Sequence, residues 1–380
     1  MKILFILRAM ANVAGTERVM SDKINWLAER GHDVSLVTYE QGLHPLSFAL
    51  HSSVKYLDIN TRFFMLSSFP IYCRIWKYRR LKKQFLSQLQ NVVDKMCPDV
   101  IIVTSYSLNV ITEILKIRTE ARKIMESHVA CYSVSKVYDY RSNRIMRKVV
   151  QLYDKYIYRK VDVFDLLLVL TEGDKKDWCQ FVHKVKAIPN PLTYYPEQIP
   201  TKSVFHRIIC VGRLNEQKGF DLLIDAFSLV ASQCPEWHID IFGHGEEERN
   251  LLDQIYRKGL EHRVNILKPT SDIYAEYLQS DFFVLSSRYE GFGLVLIEAM
   301  SCGIPCVAFN CNYGPNEIIE DGINGILVNN GDVNCLAEKM LWMMTHESKR
   351  LEMGKKAHIS VSKYGMDRVM LQWEQAYLSA

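Results

Sequence analysis

Short apolar runs alternate with amphipathic, helix-like stretches along most of this chain. Residues 2–8 form such a run, and a glycine-containing turn, a helix opened by residues 16–18 and a second run over 32–38 follow. The runs lack polar alternation, which is typical of strands buried on both faces of a parallel sheet. The other predicted strands are residues 98–104, 123–128, 166–171, 206–211, 237–242, 264–267, 282–285 and 305–309. Strand–helix–strand repetition predicts a doubly wound α/β fold.

The strand–helix pattern starts again near residue 206, after a segment rich in proline. We interpret 166–171 as the last strand of a first domain and residues 186–191 as a stiff, proline-bracketed connection. A length of 380 residues fits two domains. The predicted domains are 1–188 and 189–365, and a final helix over 366–380 has the N-terminal domain as one packing partner.

Residues 288–300 are polar and glycine-rich at first and then become an apolar helix with one acid, Glu298. A strand, a glycine turn and a helix start aim backbone N–H groups and the positive end of a helix dipole at an anion. Glu290 and Glu298 bracket this anion site. Because carboxylates repel phosphate, the two acids indicate hydroxyl partners such as a ribose and a sugar ring. The alternative is an ordinary strand–helix unit with a solvated acid.

Further candidate groups follow other predicted strands. Arg213 and Lys218 share the loop 212–219, where two cations and loop amides could hold a diphosphate leaving group. A solvated basic loop is the alternative. His128 ends the predicted strand 123–128, at the sheet edge where open α/β sheets bind ligands, although a structural histidine would fit equally.

Several kinds of chemistry lack their motifs in this sequence. No two aspartates have the D-x-D spacing, and neither H-E-x-x-H nor a Cys/His cluster with zinc spacing occurs, so we expect no metal. The ten cysteines include no C-x-x-C pair, which favours buried thiols in a reducing cytoplasm. No P-loop or G-x-S-x-G elbow occurs, and residues 14–18 are not G-x-G-x-x-G.

Residues 71–83 contain six basic residues, no acid and interleaved aromatic and aliphatic residues. As a helix, this segment would suit anionic lipid headgroups. Residues 141–160 are a second basic-aromatic stretch. No apolar run approaches a membrane span, and residues 2–8 are too short for a signal peptide. Ordinary surface helices are the alternative, and RNA binding lacks an accompanying motif.

Four patterns occur in order in the C-terminal half: residues 212–219 (GRLNEQKG), the pair Glu290-x7-Glu298, residues 314–319 (GPNEII) and residues 321–328 (DGINGILV). With them, and with residues 188–191 (IPNP) as an interdomain segment, the chain resembles the retaining glycosyltransferases of the GT-B fold, family 4, also called glycosyl transferases group 1. The resemblance spans nearly the whole chain and is less specific in the N-terminal half.

This resemblance implies two Rossmann-like domains that face each other across a cleft, with the acceptor bound by the N-terminal one and the nucleotide sugar by the C-terminal one. Arg213 and Lys218 would bind and stabilise the donor diphosphate, Glu298 the ribose, and Glu290 the transferred sugar. The other implied binding residues are Gly15, Gly212, Gly243, Phe292, Gly293, Leu294 and Val295, and His128 would contact sugar or acceptor. The family often has two glycines where this chain has Ala14-Gly15.

The resemblance further implies a transfer with retention, by front-face attack, of a hexose or N-acetylhexosamine from a nucleotide diphosphate, UDP being the common one. The acceptor would be a glycan or a lipid-linked acceptor, as in bacterial surface polysaccharide synthesis. From the cysteines and the two basic-aromatic segments, we expect a cytoplasmic enzyme with peripheral contact to the inner face of an anionic membrane. A UDP-sugar 2-epimerase and a non-catalytic sugar-nucleotide binding protein, both on the same fold, remain alternatives.

Overall fold

The computed structural model describes residues 1–12, 14–105, 108–131, 152, 155–197, 199, 204–270 and 272–379. The chain divides into two compact units. The first unit contains Met1–Pro189 and Met370–Ala380, and the second contains Asn190–Val369. The C-terminal helix, Met366–Leu378, therefore begins in the second unit and ends in the first.

The first unit contains a parallel sheet of seven strands among its described residues. In chain order these are β1 Lys2–Leu7, β2 Asp33–Thr38, β3 Lys55–Asp58, β4 Val100–Thr104, β5 Arg122–Glu126, β6 Leu166–Val169 and β7 Val185–Ala187. The spatial order is β3-β2-β1-β4-β5-β6-β7. Leu4 pairs with Ser35 on one side and with Ile101 on the other, which fixes the register at the centre of the sheet.

Helices alternate with the strands of this sheet along the chain. They are α1 Gly15–Glu29, α2 Ile71–Met96, the single turn α3 Leu108–Ile111, helical residues 155–161 and α4 Glu172–Trp178. The later turns of α2 bury Phe85, Leu89 and Val93, and the Phe85 ring lies edge-on to Tyr39, 5.4 Å between centroids. The first turns of α2 are exposed.

The second unit repeats this architecture with six parallel strands in its described part. They are β8 Arg207–Val211, β9 His238–Phe242, β10 Val264–Leu267, β11 Phe282–Leu285, β12 Cys306–Asn310 and β13 Gly325–Asn329, in the order β10-β9-β8-β11-β12-β13. The helices are α5 Phe220–Val230, α6 Glu248–Arg257, α7 Ile273–Leu278, α8 Leu294–Ser301, α9 Pro315–Ile318, α10 Val333–Thr345 and α11 Glu347–Val361. The strand order reverses between β8 and β11, which places the loops that follow these two strands side by side.

Some boundaries were predicted wrongly. The strands β3, β7 and β13 have no counterpart among the predicted strands. Residues 166–171 were predicted to contain the last strand of the first domain, but β7 follows β6 in the same sheet. All three missed strands are edge strands. β3 and β7 are short and lack the buried apolar run of a central strand, whereas β13 is mostly buried and was missed although its residues are largely apolar. The strand predicted to end on His128 ends at Glu126. Residues 141–151, 153 and 154 of the second basic-aromatic stretch lie outside the described residues, as does Ser107 before α3.

Candidate active site

Two glycines allow close backbone contacts at the carboxyl edge of the second sheet. Gly219 has φ +61°, and a Cβ there would lie 2.2 Å from the carbonyl oxygen of Ser286. A Cβ on Gly243, at the end of β9, would lie 2.0 Å from the carbonyl oxygen of Gly212. Neither contact leaves room for a methyl group. Glycine at position 219 therefore lets the loops after β8 and β11 approach each other, and glycine at position 243 lets the end of β9 approach the loop after β8.

Lys218 and Glu290 meet across this junction. The loop residues Glu216–Lys218 form one 3₁₀ turn, and the side chain of Asn215 accepts a hydrogen bond from the Lys218 N–H. Lys218 Nζ lies 2.6 Å from Glu290 Oε1, and the hydroxyl of Ser287 donates to the same oxygen at 2.6 Å. The predicted cation and the predicted acid, which are 72 positions apart, form one ion pair.

Arg213 and Arg288 occupy different surroundings after their strands. Arg213 is exposed, and its carbonyl accepts the N–H of Asn215 at 2.9 Å. Arg288 makes a bidentate pair with Asp221, at 2.9 and 2.7 Å, and donates to the carbonyl of Glu216 at 2.7 Å. Sequence reasoning missed Arg288, although its place directly after a predicted strand was a signal. Arg213 therefore extends into solvent, whereas Arg288 joins the two loops.

The helix α8 begins shortly after Glu290 in the sequence and offers backbone N–H donors. Its N-cap Gly293 has φ +87° and provides no side-chain cap, and the Leu296 N–H bonds to the Gly293 carbonyl at 2.9 Å. The N–H groups of Leu294 and Val295 occupy the first two helical positions, which have no partner within a helix. Phe292, just before the cap, is buried. This arrangement, with the dipole of α8, can bind an anion.

Glu298 lies in the second turn of α8 and is buried. The hydroxyl of Tyr277 approaches its Oε2 at 3.5 Å. Burial and the neighbouring Glu298 charge raise the pKa of Tyr277 well above its ordinary value, so this hydroxyl stays protonated and can donate. Glu298, the second acid predicted to bind hydroxyls, thus has the Tyr277 hydroxyl as a hydrogen-bond donor.

Two predicted residues lie in the first unit. Gly15 is the exposed first residue of α1. His128 lies two residues beyond β5, and its Nε2 is 3.0 Å from Glu126 Oε2. Burial lowers the pKa of His128 below its ordinary value, which favours a neutral ring that donates from Nε2 to the carboxylate. Its Nδ1 is buried with no hydrogen-bond partner among the described residues.

Glu126 is the centre of a buried cluster that sequence reasoning missed. Lys23 Nζ on α1 lies 2.7 Å from Glu126 Oε2 and 3.1 Å from the centre of the Trp373 ring. The Tyr377 hydroxyl donates to Glu126 Oε1. Although burial opposes ionisation, the charge of Lys23 and the surrounding donors lower the pKa of Glu126 to about 2. The helix pattern gave no signal for Lys23, because only apolar positions were assigned to the buried face.

Within the described ranges, no three His, Cys, Asp or Glu side chains group together in a way that could hold a metal ion. The expectation that no metal is required remains a prediction. Across the same described residues, no helix combines the length and the apolar character that a bilayer crossing needs. The cysteines of the region 302–311 are buried free thiols, and burial raises the pKa of Cys311 to about 12.

Known proteins resemble this chain in sequence and in fold. Residues 196–359 match the family model of the glycosyl transferases group 1. An uncharacterized glycosyltransferase of Haemophilus influenzae is 27% identical over 378 residues, 98% of this chain and 99% of that protein. The amylovoran biosynthesis glycosyltransferase AmsD of Erwinia amylovora is 27% identical over 383 residues, 98% of each chain. A variant of S. aureus TarM, solved with fondaparinux, alpha-GlcNAc-glycerol and UDP, superposes with a TM-score of 0.78 at 18% identity and 100% coverage of both chains.

These comparisons confirm two of the predictions. The structural likeness shows the GT-B fold. The matched family region and the full-length relatives show a glycosyltransferase. The matched region contains Lys218, Glu290 and Glu298, while Gly15 and His128 lie outside it. The roles of individual residues stay predictions.

Proposed function

We propose that this chain is a retaining glycosyltransferase of family 4 that moves a hexose or N-acetylhexosamine from a UDP-sugar, without a metal ion, to a glycan or lipid-linked acceptor of a bacterial surface polysaccharide. The observation that carries the proposal is the Lys218–Glu290 pair at the switch point of the second sheet. A cation for phosphate and an acid for hydroxyls lie together there, and the acid shortly precedes the N-terminus of α8 in the sequence.

Each group of the second unit has a task in this reaction. Arg213 and Lys218 bind the diphosphate and stabilise the charge that develops on it as it leaves. The N–H groups at the start of α8 bind phosphate and sugar oxygens. Glu290 accepts hydrogen bonds from the transferred sugar, and Glu298 accepts them from the ribose. The positive charge comes from side chains and a helix dipole, which supports a reaction without a metal ion.

The donor and the product class are supported by the relatives. The TarM variant was solved with UDP and with alpha-GlcNAc-glycerol, and AmsD is named for amylovoran biosynthesis. Retention by front-face attack fits a site in which stabilisation of the leaving group does most of the work and the departing phosphate assists deprotonation of the acceptor. His128, with a neutral ring fixed by Glu126, would contact sugar or acceptor through Nδ1.

An anionic membrane is the partner that fits one exposed face of α2, which we call the aromatic–basic face. It consists of Tyr72, Ile75, Trp76, Arg79, Arg80 and Lys83. The spacing of three and four residues puts all six on one side of the helix. The three apolar residues occupy the first turns and are 77%, 65% and 64% exposed, and the three cations follow. Apolar side chains could enter the interface while the cations meet lipid phosphates, each worth about 1 kcal/mol.

Vesicle co-sedimentation tests this contact. We expect binding to vesicles that contain phosphatidylserine, lost when Arg79, Arg80 and Lys83 become Glu. Replacing Tyr72, Ile75 and Trp76 by Ser should remove the part of binding that survives high salt. Reversing three exposed cations of the second unit, Arg249, Lys355 and Lys363, is the control. Equal binding by all variants would contradict membrane contact through α2.

The transferase proposal is tested with purified protein, a panel of nucleotide sugars and EDTA, following release of nucleoside diphosphate with and without a membrane lipid extract. We expect turnover of a UDP-sugar in EDTA, reduced about 10²–10³-fold in Lys218→Ala because the leaving group loses a charged donor. NMR of the product should show the donor's anomeric configuration. Loss of turnover in EDTA would contradict the metal-free mechanism. A 2-epimerase would change the sugar without an acceptor, and a binding protein would bind UDP without turnover.

A further inference from the structure

The Lys218–Glu290 ion pair joins two groups that the proposed reaction uses separately. The lysine is needed by the donor diphosphate and the acid by the donor sugar. We infer that the two residues form an exchange pair, which opens when an intact donor binds and closes again after transfer. Glu290 thereby makes the site hold the intact donor more tightly than the spent nucleoside diphosphate. This inference rests on the proposed function and adds product discrimination to it.

Both side chains are enclosed enough for their charges to matter. The Lys218 side chain is 17% exposed and the Glu290 side chain 8% exposed. Interactions between charges are screened less in such a place than at an open surface. A carboxylate enclosed in this way needs hydrogen-bond donors, and here Glu290 Oε1 accepts from both Lys218 Nζ and Ser287 Oγ at 2.6 Å.

The backbone around the pair is fixed by contacts that do not involve the pair itself. The Ser286 hydroxyl donates to the carbonyl of Lys218 at 3.0 Å, and Gln217 Nε2 donates to the carbonyl of Tyr289 at 3.0 Å. The Arg288 N–H donates to the carbonyl of Gln217 at 2.8 Å. Opening the pair therefore requires rotation of the long Lys218 side chain and no movement of either loop.

The intact sugar donor and the nucleoside diphosphate product differ in the hydrogen-bond donors that they supply to Glu290 when Lys218 leaves it. An intact donor takes Lys218 with its phosphates and supplies sugar hydroxyls that donate to the carboxylate. A nucleoside diphosphate takes Lys218 as well, but it lacks the transferred sugar and its hydroxyls. Of the two donors to the carboxylate among the described residues, only Ser287 Oγ then still donates, and the carboxylate faces the like charge of the phosphates. A buried carboxylate that loses one of its two hydrogen-bond donors and gains a like charge is destabilised. Closure of the pair then favours departure of the product.

Calorimetric titration with UDP, UDP-glucose and UDP-N-acetylglucosamine measures this discrimination. Glu290→Gln removes the charge and keeps the shape and a hydrogen-bonding oxygen. We expect it to lower the Kd of UDP about tenfold, because like-charge repulsion disappears and the neutral amide competes less strongly for Lys218. The Kd of the better UDP-sugar should fall less, so the preference for donor over UDP shrinks. Lys218→Ala should raise the Kd of all three ligands.

Asp225→Asn is the matched control, because it removes the carboxylate from another ion pair between a lysine and an acid in the same unit, in which Lys258 Nζ lies 2.9 Å from Asp225 Oδ1. It should leave every Kd unchanged. If Glu290→Gln binds UDP as weakly as the parent protein, or more weakly, the exchange pair is wrong while the transferase proposal stands. If the parent protein binds neither UDP nor either UDP-sugar, the proposed UDP donor site itself is contradicted.

Discussion

Replacing Lys23 by Met tests what holds the first unit together at its buried cluster. Lys23 and Glu126 are both fully enclosed, and their charged atoms are 2.7 Å apart. Burial lowers the pKa of Lys23 to about 8, despite the favourable charge of Glu126, so the lysine is still charged at pH 7. Methionine would keep an apolar stem against Trp373 and would remove the charge that keeps Glu126 ionised.

The expected loss of stability is large because Lys23 and Glu126 are both fully buried. Removing one member of a buried ion pair leaves the other without compensation and typically lowers the free energy of unfolding by about 3–5 kcal/mol. The ring of Trp373 also loses a cation 3.1 Å from its centre, a contact worth up to about 2 kcal/mol when it is shielded from water. We expect Lys23→Met to lie within the range for a broken buried pair, because Tyr377 and His128 still donate to Glu126.

Urea unfolding followed by circular dichroism, with hydrogen exchange of the β5 amides to locate the loss in the first unit, measures this change. The double variant Lys23→Met/Glu126→Gln provides the control, because it removes both charges. It should be destabilised by clearly less than the sum of the two single variants. Additive losses, or a loss below about 1 kcal/mol for Lys23→Met, would refute the view that the pair stabilises the unit through its charges.

Three further predictions concern charge and backbone contact. The folded-state pKa of Glu126, about 2, is below the ordinary 4.5, so its contribution of about 3 kcal/mol is complete above pH 4.5 and disappears as the pH falls toward 2. Urea unfolding of the parent protein and of Glu126→Gln at pH 5 and pH 3 should show about half of this loss as the change in the difference between them. Gly219→Ala should abolish UDP release, because its Cβ would strike the facing loop at 2.2 Å, whereas Gly259→Ala, with φ +66° and open space, should lose only stability. Arg288→Ala should raise the KM for donor severalfold by freeing the loop that Asp221 now holds, and unchanged kinetics would contradict that role.

The sequence predicts the central strands well and the edges poorly, for a physical reason. β1 and β11 are buried on both faces, so their composition is almost purely apolar. The edge strand β3 has three exposed residues of four and gives no such signal. β7 contains three residues only, which is too short for a pattern. An apolar run in the sequence therefore indicates that a segment is buried, and it does not by itself indicate that the segment forms a strand.

In the candidate site, the sequence likewise identifies some residues but not the contacts between them. Glu290 and Lys218 could be identified because each follows a recognisable strand and lies in a glycine-containing loop. Their pairing could not be predicted, since it depends on β8 and β11 being neighbours although β9 and β10 lie between them in the chain. The bond from His128 to Glu126 joins residues only two positions apart, whereas the bond from Tyr377 to Glu126 spans 251 positions and has no local sequence signal.

The positions of the reacting groups in the second unit depend on backbone contacts more than on side-chain packing. Gly243 lets the end of β9 approach the Gly212 carbonyl, and Gly219 lets the Lys218 loop approach Ser286. Lys218 then needs only its own side chain to reach Glu290. A methyl group on either glycine would therefore displace the lysine while leaving every group that touches the donor chemically intact. This explains why glycines and charged residues occur together in the loop 212–219: the charges supply the chemistry, and the glycines determine where the charges lie.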